Sequence, residues 1–95
     1  PYDIPNLSIT GHDVCVNLPK IHAYRAPGAP NGAFAFETVI DELARALNLD
    51  PIDIRARNAA VEGAKSPYGP TFGPIGGLEC LSAAKDHPHY KANLG

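Results

Sequence analysis

The sequence contains no methionine and only two cysteines among its 95 residues. Cys15 and Cys80 lie 65 positions apart. A metal clip needs closer ligands or more of them, and a secreted, disulfide-stapled domain would use more bridges. The pair reads as two buried, reduced thiols, because free cysteine is among the most buried residue types. An excess of positive charge is also missing: 8 Lys and Arg stand against 10 Asp and Glu, a formal net charge of −2. With no basic stripe to neutralise a row of phosphates, no nucleic-acid partner is expected. No apolar run approaches the roughly 20 residues that span a bilayer, so no membrane partner is expected. Nor does a charged segment followed by an apolar stretch mark a signal peptide. The opening Pro1 and the lack of methionine suggest an excised or processed segment.

What the chain does contain is ordinary globular material with two interruptions. Hydrophobic residues make up 44%, which excludes compositional disorder. The ten prolines and nine glycines concentrate in residues 27–32 and 63–77, marking two loops and leaving the rest free for regular structure. The length allows one domain, residues 1–95, with no room for a second core. A chain this short buries only about 60% of its unfolded surface. Marginal stability is therefore expected unless something else covers it.

Along residues 6–17, Leu7 and Ile9, then Val14 and Val16, alternate around Gly11. Period two with β-branched content predicts one strand or two short ones, and residues 21–25 resume the extended pattern after Pro19. After the first loop, Phe36, Val39, Ile40, Leu43 and Leu47 fall at helical spacing, predicting a helix from about Ala33 to Leu47 with that stripe packed on the strands. Glu37 and Asp41 form an unfavourable like-charge pair on it, and Asp41 and Arg45 a favourable one. Asp50 suits an N-cap, Pro51 the first helical position, and Asp53 the positive end of a second helix, which Gly63 would stop. A last helix is predicted over Leu78 to about Lys85, with a loosely held tail from Asp86. The expected fold class is α+β: a small two- to three-stranded sheet with helices on one face.

Three stretches taken in order resemble one family. Residues 24–30 read YRAPGAP, residues 37–44 read ETVIDELA, and residues 50–58 read DPIDIRARN. Together with Phe72-Gly73-Pro74 and Leu78-Glu79-Cys80-Leu81, they resemble the molybdopterin-binding large subunit of the xanthine dehydrogenase/aldehyde oxidoreductase group, the molybdenum hydroxylases. The similarity runs from Asn6 to about Lys85. It implies that the chain is a partial segment of a molybdenum-cofactor-binding domain. The parent would be an oxidoreductase hydroxylating an aldehyde or N-heterocycle with water as the oxygen source. In that family the arginine-bearing loop lies against the molybdenum centre, so the resemblance assigns cofactor binding to Arg25, Ala26, Pro27 and Gly28. The physical chemistry agrees, since backbone N–H groups around Gly28 and Gly32 at a helix start make an anion cradle and Arg25 adds directional donors.

The resemblance also implies what lies elsewhere. Iron–sulfur clusters and FAD belong to other segments or subunits, and the expected partners are the remaining lobes of the large subunit, those redox domains and a small-molecule substrate. Cytoplasmic location is expected, with the periplasm as the alternative. The family's catalytic glutamate and its glutamine-bearing loop have no match here, and Glu62 and Glu79 sit in other contexts. No catalytic residue and no metal ligand is therefore assigned, and the chain alone is expected to be inactive. Ala26 stands where carbon monoxide dehydrogenases carry a cysteine, and Pro27 where xanthine dehydrogenases carry a phenylalanine that stacks on purine. An aldehyde or another heterocycle thus fits better as the parent's substrate. The alternative reading is a cofactor-free structural or interaction module. Asp50, Arg55 and Asn58 read as a cap and as pairing groups between elements. Tyr24 and Phe34 read as core or cavity wall, and His87-Pro88-His89 lacks the further ligands of a metal site.

Overall fold

The computed structural model describes residues 1–20 and 22–92. It is a helical assembly of α1 (Ala29–Ala46), α2 (Pro51–Asn58), α3 (Gly77–Asp86) and the single turn α4 (Pro88–Lys91). The expected α+β layer is not formed: among the described residues there is no sheet, and β pairing is limited to two isolated bridges, Tyr2 with Ala59 and Lys65 with Thr71. Residues 6–17 form no strand, and Leu7, Ile9, Val14 and Val16 stand 43%, 72%, 69% and 61% exposed. Alternation marks a segment able to pair, but a strand needs a neighbour for its backbone groups and a face to bury, and the described residues supply neither. The predicted extension over residues 21–25 begins at Ile21, outside the described residues, and residues 24–26 are bends.

Local signals decide the helix ends. α1 starts earlier than predicted because Pro30, inside its first turn, has its φ preset for a helix and lacks only an N–H that would go unused there. It ends in a Schellman motif: Asn48 takes φ 53°, its N–H donates to the Arg45 carbonyl, and the Leu49 N–H donates to the Ala44 carbonyl at 2.9 Å. One residue on, the Asp50 carboxylate accepts from the Ile52 and Asp53 N–H groups at 2.8 and 3.1 Å, and Pro51 opens α2. α2 stops at Asn58, five residues before Gly63, as its last turn gives way to the bridge between Ala59 and Tyr2. α3 matches its predicted span within one residue at each end. Beyond it, His87 caps α4 by accepting the His89 N–H at 3.2 Å, which gives the His-Pro-His sequence a local structural role.

The core is small: Ala44, Ile52, Ile54 and Ala60 are buried. α1 turns an unexpected face inward. Glu37, Ile40, Asp41 and Ala44 approach α2, whereas Phe36, Val39, Leu43 and Leu47 are 43–58% exposed. The predicted packing of that stripe on strands is thus overturned along with the strands. Both cysteines are exposed, not buried, as are Tyr24 and Phe34, at 100% and 77%.

Candidate functional site

Residues 25–28 form the turn that leads into α1, and its backbone is unusual. Ala26 has φ 47° and Gly28 φ 75°. Glycine visits that region freely, but an alanine there costs on the order of 1 kcal/mol. The turn is closed by the Ala29 N–H on the Ala26 carbonyl at 3.1 Å and the Gly32 N–H on the Gly28 carbonyl at 2.8 Å. At the helix end Gly28 provides no side-chain cap, and the first turn holds no acidic residue. All four residues are exposed, and among the described residues Arg25 makes no ion pair. A cation beside an uncapped, positively polarised helix start suits an anionic group.

A second constellation, of which the sequence gives only the Arg55 pairing, is a cluster of six side-chain hydrogen bonds around Arg55 and Glu37. Arg55, on α2, spans the gap to α1. Its Nε donates to Glu37 Oε2 and its Nη1 to Asp41 Oδ1, both at 2.8 Å, while Nη1 and Nη2 also donate to the Pro51 and Glu37 carbonyls. Tyr2 completes the set by donating its hydroxyl to both Glu37 oxygens at 2.9 Å. The side chain of Arg55 is 16% exposed. Burial alone would lower its pKa, but the two carboxylates outweigh that and raise it. Burial raises the pKa of Tyr2, with Glu37 adding to the effect. The like-charge pair Glu37 and Asp41 was the available signal: two carboxylates one turn apart on a helix call for a cation between them. Inter-element pairing of Arg55 is as the sequence predicts; Asp41 pairs with Arg55 instead of Arg45.

Tyr2, Glu37 and Arg55 of this cluster line a cavity of about 290 Å³ shared with Pro1, Ala59, Cys80 and Leu81. Residues 25–28 do not border it, so the two constellations remain apart in this chain. On the far side of α2, Lys85 pairs with Asp53 and the Tyr90 hydroxyl donates to Asp50 at 2.9 Å. Burial raises the pKa of Asp50, but the Tyr90 hydroxyl and the two capping N–H groups outweigh it and hold the carboxyl below its ordinary value. Among the described residues no three His, Cys, Asp or Glu side chains gather as a metal centre would require, and no helix is long and apolar enough to cross a membrane.

The described residues thus combine an exposed turn carrying two positive φ angles with a helix pair joined through the half-buried Arg55. Residues 1–59 match the model of the molybdopterin cofactor-binding domain, and the chain belongs to that family. Similar proteins include the nicotinate dehydrogenase large molybdopterin subunit of Eubacterium barkeri, 37% identical over 90% of this chain and 20% of that protein. The xanthine dehydrogenase molybdenum-binding subunit of Escherichia coli O157:H7 is 43% identical over 73% of this chain and 9% of its own length. The aldehyde oxidoreductase of Megalodesulfovibrio gigas is 40% identical over 72% and 8%. The chain thus spans between 8% and 20% of the length of these relatives. The family is one of molybdopterin cofactor-binding domains, and these relatives are named as dehydrogenases and an oxidoreductase.

Proposed function

We propose that this chain is one wall of the molybdenum-cofactor site in a hydroxylase that oxidises an aldehyde or N-heterocycle, with water as the oxygen source. The observation that carries the reading is the Arg25–Gly28 turn, with its two positive φ angles at the uncapped start of α1. Strain at a non-glycine residue persists where the surroundings over-determine it, and it clusters at ligand sites. Arg25 places fixed positive charge and directional donors beside the cofactor, and the backbone of Ala26, Pro27 and Gly28 forms a close, stiff surface against it. The cofactor, when bound, supplies the redox chemistry; these residues bind and orient it. Relatives named for xanthine, nicotinate and aldehyde substrates support this class of small carbonyl or heterocyclic substrate. The single domain read over residues 1–95 is, on this proposal, a part of a larger cofactor-binding domain that completes the site with the remaining lobes and delivers electrons to iron–sulfur and flavin partners.

The test is Arg25→Ala in the full-length subunit. Losing one charge-assisted contact of about 1.5–3 kcal/mol should reduce retained molybdenum or turnover at least about tenfold. Molybdenum content is read by mass spectrometry after gel filtration, independently of activity. Normal content together with normal turnover would overturn the assignment and favour the cofactor-free module.

A further inference from the structure

Two supports reach α1 from α2, and both end on one residue. Arg55, in the middle of α2, donates its Nε to Glu37 Oε2 at 2.8 Å and its Nη2 to the Glu37 carbonyl at 3.2 Å, and it reaches Asp41 one turn on. Tyr2 starts from the other end of α2. Its segment is fastened there by the Asp3 N–H on the Asn58 carbonyl at 2.8 Å and the Ala60 N–H on the Pro1 carbonyl at 3.1 Å. From that base the Tyr2 hydroxyl donates to both Glu37 oxygens. Beyond Glu37, toward the Arg25–Gly28 turn, α1 stands free. Residues 29–36 are all exposed, and among the described residues no hydrogen bond or ion pair ties them to another helix.

We propose that Glu37 is a positioning residue for the Arg25–Gly28 turn: the struts from Arg55 and Tyr2 meet on it and fix the direction of α1, and the helix carries that direction to the turn. The inference rests on the cofactor reading above, because it assigns a role in the same site. Geometry sets the size of the effect. α1 has 18 residues, so at the helical rise per residue its first turn stands about 25 Å from its last. A swing of about 5° at the corner with α2 would move the turn by about 2 Å, whereas a binding constellation has to be held within about 0.5 Å. Glu37 lies about 14 Å along α1 from the corner. The same swing would lengthen the contacts on it by about 1 Å, out of hydrogen-bonding range. Stability alone is a poor account of the arrangement. Both carboxylates are 43% exposed, and ion pairs so open to water contribute little. What two struts from separate bases contribute is direction.

The experiment compares Glu37→Ala, Glu37→Gln and Lys85→Ala in a full-length subunit carrying this chain, the last breaking the pair with Asp53 on the far side of α2. Retained molybdenum is read by mass spectrometry after gel filtration, and the thermal midpoint is measured beside it. Glu37→Ala should lower retained molybdenum about tenfold, the scale of the charge-assisted Arg25 contact that it misplaces. Glu37→Gln, whose amide oxygen still accepts from both struts, should stay within about twofold of the unaltered protein. Lys85→Ala should keep full molybdenum whatever its midpoint. Full molybdenum in Glu37→Ala would overturn the proposal, as would an equal loss in Lys85→Ala or a glutamine variant no better than the alanine. Tyr2→Phe keeps the ring, removes one strut and serves if Glu37→Ala does not fold. Its molybdenum should fall about threefold, the scale of one neutral hydrogen bond, and full content there would sink the idea as well. Arg25→Ala in the same series tells the two failures apart. A loss in Arg25→Ala with none in Glu37→Ala removes this inference and keeps the cofactor site, whereas full content in Arg25→Ala removes the site and this inference with it.

Discussion

Arg55 makes four hydrogen bonds, more than any other side chain among the described residues. Its guanidinium is planar and forked, and four acceptors are arranged to use it: two carboxylates on α1 and two backbone carbonyls. A lysine carries the same charge with a different geometry and cannot serve those acceptors together. Arg55→Ala should therefore destabilise the chain by about 1.5–3 kcal/mol, discounted toward the low end because Glu37 and Asp41 are 43% exposed. Arg55→Lys should recover less than half of the loss. Denaturant titration followed by far-ultraviolet circular dichroism checks both, and a lysine variant as stable as the parent would refute the forked role. Asp50 and Asn58 act more locally: one caps α2 and the other closes back on the Ile54 carbonyl at 2.8 Å.

At the scale of elements, α1 separates two properties that sequence patterns usually merge. Its period was readable, because helical spacing of Phe36, Val39, Ile40, Leu43 and Leu47 needs nothing beyond the chain. Which arc faces inward was not, since that depends on what lies opposite, and here α2 presents Arg55 and draws the carboxylate arc toward it. Ala44, with no exposed surface, sets how closely the helices approach. Ala44→Leu should overpack the contact and cost about 1–3 kcal/mol, whereas Leu43→Ala should cost under about 1 kcal/mol, because Leu43 is already 44% exposed. Thermal midpoints of the two variants decide it, and the opposite ranking would show the inward face to be wrongly assigned. The capped start of α2 and the span of α3 were legible for the same reason as the period: caps and spacing are local. The strands were not, since Leu7, Ile9, Val14 and Val16 alternate correctly yet find no neighbour. The Arg25–Gly28 turn was recognisable as a loop, but the positive φ of Ala26 carries no signature in the residue type.

The whole molecule is open. Its radius of gyration is 16.8 Å, against about 12 Å for a compact domain of this length. The excess matches the long, exposed N-terminal stretch, where residues 6–20 carry no helix or strand. Trypsin should accordingly cut the isolated chain first after Lys20 or Arg25, and only later after Arg45, Arg55 or Arg57 within the helices. Initial cleavage inside α1 or α2 would show that the helix pair is not the stable part. That pair has a further consequence through its sequence separation. Arg55 lies only 18 residues from Glu37 and 14 from Asp41, and the connection between them is fixed by the left-handed Asn48 and the Asp50 cap. Loops of that order close within about 100 ns, far faster than a ribosome adds residues, at roughly 5–20 per second. The corner of α1 and α2 is therefore suited to be in place during synthesis, a preformed seed waiting for later polypeptide to arrive.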